Sequence, residues 1–259
     1  MTSRTEFTDY EWATDMPATD LKGPEEQAIT LALNDMAFAS VLATPVDLEA
    51  WAVGFAFSEG LISRISQIER VDQSPLRHGL RVQLTMAPHL AEQAMERRRV
   101  GASTSSCGRC GSADEGLMFE GLRQLPPSEL PSMADWHRLF EALDQASRPG
   151  LHVALGLDPG GSIVTGVDIG RHNALDKLIG KGLQAGVMPA AGLVSSRCSL
   201  ELIQKSVRAG MTTLGTLSHP STLAVDTARL CGLNLVCCHR GQRLQLLSRG
   251  RTPSSLFRR

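Results

Sequence analysis

Two cysteines set two residues apart, in Ser105-Ser106-Cys107-Gly108-Arg109-Cys110-Gly111, are the side chains of this sequence best suited to chemistry. Glycine next to each thiol gives the backbone freedom that other residues lack. An arginine between the thiols favours the thiolate, which is the nucleophilic form of sulfur. The stretch reads as a mobile loop that exposes sulfur and swings it between partners. Disulfide exchange, sulfur relay and metal ligation all use such a pair, and one C-x-x-C does not choose among them.

A second group of polar residues sits in loops that follow strand-like runs. Asp168-Ile169-Gly170-Arg171-His172-Asn173 is one such loop, and Ser195-Ser196-Arg197 is another. Ser218-His219-Pro220-Ser221 and Cys238-His239-Arg240-Gly241-Gln242-Arg243 follow. In an open α/β sheet, ligands bind beyond the carboxyl ends of the strands. Helix N-termini there favour anions, and the guanidinium forks of Arg171, Arg197, Arg240 and Arg243 match phosphate oxygens. The expectation is a pocket for a phosphorylated, nucleotide-like ligand. Arg97-Arg98-Arg99, just ahead of the cysteine loop, is a solvated face or a docking patch for an acidic or phosphate-rich partner.

Metal chemistry is less well served. Zinc deaminases use H-x-E and P-C-x-x-C, whereas here no histidine has a glutamate two positions on and Ser106 precedes Cys107. A structural zinc on Cys107, Cys110 and the Cys237-Cys238-His239 cluster would recruit only one of Cys237 and Cys238, because neighbours in a strand face opposite ways. Cys198 and Cys231 read as buried or incidental thiols.

The elements that must position these groups follow from periodicity. Two strands between Ala28 and Leu42 turn at Asn34-Asp35, and Asp47 is expected to cap a helix with Leu48, Trp51, Ala52 and Phe55 along one stripe, stopped by Gly60. Leu80 to Met86 reads as a strand and Ala91 to Arg98 as a short helix. After a proline-rich connector from Leu125 to Pro131, Ser132 and Asp135 form a capping box for a helix carrying Trp136, Leu139, Phe140 and Leu143. A hairpin turning at Asp158-Pro159-Gly160-Gly161 follows, then strand and helix alternate to a last strand at Arg243 to Leu247. That alternation predicts a largely parallel sheet covered on both faces.

Composition narrows the class. The chain has 259 residues, 42% of them hydrophobic, which suffices for a sizeable core. A net charge of -1 and 4% aromatic residues speak against a general nucleic-acid binder. No apolar run approaches the roughly 20 residues of a membrane helix, and the N-terminus lacks a signal-peptide core. A cytoplasmic protein with reduced thiols is expected.

Taken together, the run Asp168-Ile-Gly-Arg-His-Asn-Ala-Leu-Asp-Lys177 and the Ser-Cys-Gly-Arg-Cys-Gly loop closely resemble the formate dehydrogenase accessory sulfurtransferase family, FdhD. Ala43-Thr-Pro-Val-Asp-Leu-Glu49, Val53-Gly-Phe55, Ser58-Glu-Gly-Leu61, Ser195-Ser-Arg197 with Glu201 and Lys205, Leu223-Ala-Val225 and Arg240-Gly241 extend the likeness from about Ile29 to Leu247. The resemblance implies a sulfur carrier. A cysteine desulfurase loads a persulfide on the C-x-x-C loop, and the sulfur passes to the molybdenum cofactor, bis-molybdopterin guanine dinucleotide, for formate dehydrogenase. Cys107 then carries the persulfide and Cys110 assists. Arg171, His172, Asn173, Arg197, His219, Cys238, His239, Arg240, Gly241, Gln242 and Arg243 are the expected cofactor-binding set.

The implied fold is a small α/β domain over 21–100, a mobile loop and connector over 101–130 and a cytidine-deaminase-like three-layer α/β domain over 131–248, in a homodimer. A disordered N-terminus over 1–20 and a basic tail over 249–259 flank them. The last turn, Cys-His-Arg-Gly-Gln-Arg-Leu, lacks the aromatic residues usual in the family, and Gly150-Leu-His152 is a reduced form of a Gly-x-His segment. A thiol-disulfide oxidoreductase and a nucleotide-binding regulatory module with an incidental thiol pair are the alternative readings.

Overall fold

The computed structural model describes residues 23–100, 119, 121–239 and 243–251. The cysteine loop with Cys107 and Cys110, the turn residues Arg240, Gly241 and Gln242, and the chain ends lie outside the described residues. Among the described residues the architecture is mixed α/β, with two mixed sheets and six α-helices.

The first sheet holds β1 (Gln27–Leu33), β2 (Met36–Ala43), β3 (Ile68–Leu76) and β4 (Gly79–Met86), in the order β2-β1-β4-β3. Asn34 turns the β1–β2 hairpin at φ 51, a left-handed conformation that Asn tolerates better than most residues. β1 lies parallel to β4, while β2 and β3 pair antiparallel at the edges. Helices α1 (Leu48–Ser58) and α2 (Pro88–Val100) close the core: Trp51, Phe55 and Ala94 pack with Ile29, Leu31, Val82 and Leu84. β3 was not expected. It is an edge strand, Ile-Glu-Arg-Val-Asp-Gln-Ser-Pro-Leu, largely exposed. Charges and a proline suit an unpaired edge and erase the alternation that marks a half-buried strand.

The second sheet is built from β5 (His152–Leu157), β6 (Ile163–Asp168), β7 (Ala191–Val194), β8 (Thr213–Thr216), β9 (Asn234–His239) and β10 (Arg243–Ser248), in the order β10-β9-β8-β7-β5-β6. Helix α3 (Met133–Ala146) covers one face, with Trp136, Leu139 and Leu143 against Val153, Leu155, Leu193 and Val236. Helices α4 (Arg171–Ala185), α5 (Leu200–Arg208) and α6 (Thr222–Cys231) cover the other, against Ala154, Val194, Leu214 and Leu235. The two sets of strand residues alternate, as they must when both faces are buried.

The expected largely parallel sheet is corrected by the pairing. Only β7-β8 and β8-β9 are parallel; β5-β6, β5-β7 and β9-β10 are antiparallel. Crossover helices α5 and α6 return the chain to the same end and make parallel neighbours. The hairpin at Asp158 reverses it, and α4 then delivers β7 beside β5 rather than beside β6. Periodicity reports an element's type, not its neighbour.

Helix α1 carries more burial than its four-residue stripe implied: Ala50, Val53, Gly54, Ala56 and Ser58 are buried as well. The reason is α4, which crosses it on the side away from the first sheet. A Cβ built at Gly54 would overlap the carbonyl oxygen of Asp176, and one at Gly180 would overlap that of Ala50. The helices therefore meet backbone to backbone. Asp47 does not cap α1 with its side chain. It sits at φ 53 and makes no cap hydrogen bond, and its carboxylate pairs with Lys181 at 2.7 Å. Among the described residues no helix is long and apolar enough to cross a membrane.

Candidate functional site

The polar loops converge on one edge of the second sheet. There β6, β7, β8 and β9 end while β5 and β10 begin. His152 opposes Asp168 in the β5–β6 ladder. Ser195 donates its N–H to the Val153 carbonyl and accepts from the Val153 N–H through Oγ at 2.9 Å, which pins the loop after β7 to the start of β5. Thr216 Oγ1 donates to the carbonyl of Ser196 at 2.8 Å and ties the loops after β7 and β8. His239 opposes Arg243.

Along this edge the candidate residues fall into small groups. Arg171 opens α4, and its Nε is buried without a hydrogen-bond partner among the described residues. Burial, followed by the positive charge of Arg171, holds the His152 imidazole below its ordinary pKa, with Asp168 opposing. His172 Nε2 lies 3.1 Å from Glu201 Oε2, and Ser199 Oγ donates to the same oxygen at 3.0 Å, so the starts of α4 and α5 are joined. Arg197, His219 and Arg243 are exposed. The His219 and His239 rings lie 5.3 Å apart, with Cys237 beside them.

Two expected ligand contacts prove to be fabric. Asn173 is buried, and its amide is fully engaged: Oδ1 accepts from Trp51 Nε1 at 3.1 Å, and Nδ2 donates to Leu42 O at 2.9 Å and Asp168 Oδ1 at 3.1 Å. Cys238 is completely enclosed in the core beneath α3. Alternation along β9 turns it to that face, while Cys237 turns to the other.

The rest of the Gly-Arg-His-Asn-Ala-Leu-Asp-Lys run joins the two halves of the molecule. Lys177 and Asp168, both 0% exposed, pair at 2.6 Å. Lys177 Nζ also donates to Thr44 O at 3.0 Å and Val167 O at 3.2 Å, and Asp168 accepts from Thr44 N at 3.1 Å and Gly170 N at 2.8 Å. Beside it, Asp176 Oδ1 meets Lys205 Nζ at 2.9 Å, and Ser58 Oγ and Glu59 Oε1 each lie 2.8 Å from the same Nζ. Burial works against the Lys205 ammonium, but the carboxylates of Asp176 and Glu59 outweigh it and hold its pKa above the ordinary value. Asp176, Lys177 and Lys205 are all buried. Asp176 and Lys205 serve the junction between α1, α4 and α5, and Lys177 ties α4 to β6 and to Thr44, just after β2.

Four cysteines lie among the described residues, Cys198, Cys231, Cys237 and Cys238, all buried and unpaired. Burial pushes the thiols of Cys198 and Cys238 up to about 12 and those of Cys231 and Cys237 upward as well. None has the electropositive, accessible setting of a reactive cysteine.

At the far end of α5 from this edge, Arg97, Arg123 and Arg208 line a cavity of about 460 Å³ with Phe57, Leu61 and Leu90. Arg97 donates to Gly60 O at 3.1 Å and Arg208 to Ser58 O at 2.6 Å. Sequence reasoning missed the cavity because its arginines come from three separate segments. It also missed the grouping of His219 with Cys237, although the end-to-end alignment of β8 and β9 was readable as a parallel pair.

Comparison with known proteins follows the same lines. A family model described as the FdhD/NarQ family matches residues 24–252. A sulfur carrier protein FdhD of Burkholderia mallei is 40% identical over 233 residues, covering 82% of this chain and 83% of the relative. One of the same description from Bordetella parapertussis is 34% identical over 223 residues, covering 82% and 80%. The crystal structure of a candidate formate dehydrogenase accessory protein from Desulfotalea psychrophila superposes with a TM-score of 0.66 at 24% identity, covering 86% of this chain and 87% of the other. That structural likeness bears on the fold.

Proposed function

The chain belongs to the FdhD/NarQ family, and from that premise we propose that it is a cytoplasmic sulfur carrier serving formate dehydrogenase. In this reading Cys107 accepts sulfur from a cysteine desulfurase and Cys110 assists. The acceptor is the molybdenum cofactor, bis-molybdopterin guanine dinucleotide, bound as cargo. The observation that carries the assignment to this thiol pair is the state of the other cysteines. Cys198, Cys231, Cys237 and Cys238 are buried with their thiols pushed toward the protonated form, so a transferable sulfur falls to Cys107 and Cys110.

The chemistry is a displacement at sulfur. The Cys107 thiolate attacks the terminal sulfur of the donor persulfide, a new S–S bond forms, the donor's S–S bond breaks, and the donor leaves as a thiolate. The chain's own residues supply the rest. Arg171, Arg197 and Arg243, with Arg240, Gly241 and Gln242 from the adjoining turn, bind the phosphates of the cargo. His172, oriented by Glu201, and His219 and His239 line the same edge. Asn173 and Cys238 hold its wall in place. The unpartnered Arg171 Nε supports this placement, since a buried donor without an acceptor invites an anionic ligand. The six-stranded half is read as the cytidine-deaminase-like layer over 131–248 and the four-stranded half as the smaller domain over 21–100, in a homodimer.

Incubation with a cysteine desulfurase and cysteine, followed by mass spectrometry of the intact chain, tests the proposal. One added sulfur is expected on the unaltered protein and none on the Cys107→Ala/Cys110→Ala variant. An adduct that persists in the double variant would overturn the assignment.

A further inference from the structure

We infer that His219, Cys237 and His239 form a zinc-binding site at the carboxyl end of β8 and β9. One ligand atom from each of the three lies within 4.8 Å of the others. Cys237 and His239 are two residues apart on β9, so they face the same side. Thr216, the last residue of β8, opposes Cys237 in the parallel ladder, and the chain needs only Leu217 and Ser218 to bring His219 over it. The site thus draws Cys237 and His239 from β9 and His219 from the loop that follows β8.

The donor set selects the ion. One thiolate and two imidazoles suit zinc, which takes Cys sulfur at about 2.3 Å and His nitrogen at about 2.0–2.1 Å. Those lengths place tetrahedral ligand atoms roughly 3.5 Å apart. Closing the observed span needs a shift of about 1 Å, within reach of a side-chain rotation at His219, which is exposed. Burial is graded along the trio: Cys237 is enclosed, His239 is half-buried and His219 faces solvent. An ion can therefore enter from the solvent side, and three protein ligands leave a fourth position open there. Structural zinc sites are closed by four protein ligands, whereas sites that bind a water or an exogenous ligand keep a position free. Gln245 Oε1 stands 3.4 Å from His239 Nε2, the kind of acceptor that fixes ring orientation in a metal-bound imidazole.

This site is distinct from the Cys107–Cys110 pair and does not rest on the sulfur-transfer reading. It is filled or empty whether or not the protein carries sulfur. If it is filled, the open position faces the edge where Arg243 and the other arginines lie, and a phosphate or thiolate oxygen or sulfur of the cargo is the class of ligand it would accept.

The test uses the full chain carrying Cys107→Ser and Cys110→Ser, which removes the two thiols that lie outside the described residues. Stripped protein is titrated with zinc by calorimetry and with cobalt(II) by absorbance. One equivalent of each is expected, with a thiolate-to-cobalt charge-transfer band. His219→Ala, at an exposed position, should weaken zinc by at least about a hundredfold, more than the 10–100-fold that outer-shell partners command. Cys237→Ser should abolish the charge-transfer band. His239→Gln provides a second ligand loss should Cys237→Ser disturb the core, with circular dichroism confirming that each variant is folded. No uptake by the stripped protein would overturn the inference. So would zinc affinity unchanged in both histidine variants, or a cobalt spectrum without thiolate character.

Discussion

Two lysines one turn apart on α4 offer a controlled measurement of what burial does to an ion pair. Lys177 meets Asp168 at 2.6 Å and Lys181 meets Asp47 at 2.7 Å. The bond lengths are nearly equal. Exposure is not: 0% for both Lys177 and Asp168, against 32% and 46% for Lys181 and Asp47. Lys177→Met leaves the Asp168 carboxylate enclosed without its cation and withdraws a donor from the carbonyls of Thr44 and Val167. Breaking a buried pair from one side costs about 3–5 kcal/mol. The donors that remain on Asp168, from Thr44 N, Gly170 N and Asn173 Nδ2, keep the cost inside that range rather than above it. About 4 kcal/mol is expected, a large share of the roughly 5–15 kcal/mol that holds a protein folded. Lys181→Met should cost less than about 1 kcal/mol, as solvated pairs do. With a urea slope of about 3 kcal/mol/M, the unfolding midpoint falls by more than 1 M in the first variant and by under about 0.3 M in the second. Equal shifts would refute the reasoning, since they would mean that exclusion of water from the Lys177–Asp168 pair contributes nothing.

Three further outcomes are expected. The His152 ring titrates below its ordinary 6.5, so the unfolded chain takes up this proton first. Its contribution to stability is complete above pH 6.5 and is lost as the pH falls toward the folded midpoint. Arg171→Gln should raise that midpoint in an NMR titration without restoring it fully, because burial remains, and an unmoved midpoint would place Arg171 away from the ring. Gly180→Ala drives a methyl group into the backbone of α1 and should cost about 3 kcal/mol in chemical denaturation, the upper range for overpacking. A thiol reagent should react quickly with the native protein in a phase that Cys107→Ala/Cys110→Ala removes, while Cys198, Cys231, Cys237 and Cys238 react only on unfolding; rapid labelling in the double variant would contradict their burial.

Most elements of the fold were legible because their signals are local. Ser132 and Asp135 form the expected capping box, and Gly210 and Gly232 stop their helices in the left-handed conformation. What could not be read was partnership across the chain. Asp176 and Lys205 look like solvated charges in sequence, and only the arrival of Ser58 and Glu59 from α1 reveals an enclosed cluster. Asn173 has the residue type of a ligand contact, yet Trp51 and Leu42, more than a hundred positions away, engage it. The gathering of Arg171, His172, Arg197, His219, His239 and Arg243 on one edge was readable from their places at the ends of strands, although the sheet is not largely parallel. The loops after β7, β8 and β9 share that edge because these three strands run parallel.

The crossing of α1 over α4 bears on how such a molecule can move. With Gly54 and Gly180 bringing main chain against main chain, there is no layer of side chains to shear and no slack to open. Parting the sheets would also break the bonds of Lys205 to Ser58 and Glu59 and those of Lys177 and Asp168 to Thr44. The four-stranded and six-stranded halves are thereby denied a hinge, and melting them should yield one cooperative transition in place of two. Excising either half alone should yield an aggregating fragment, its neighbour's carboxylates and ammoniums missing from the surface that needs them.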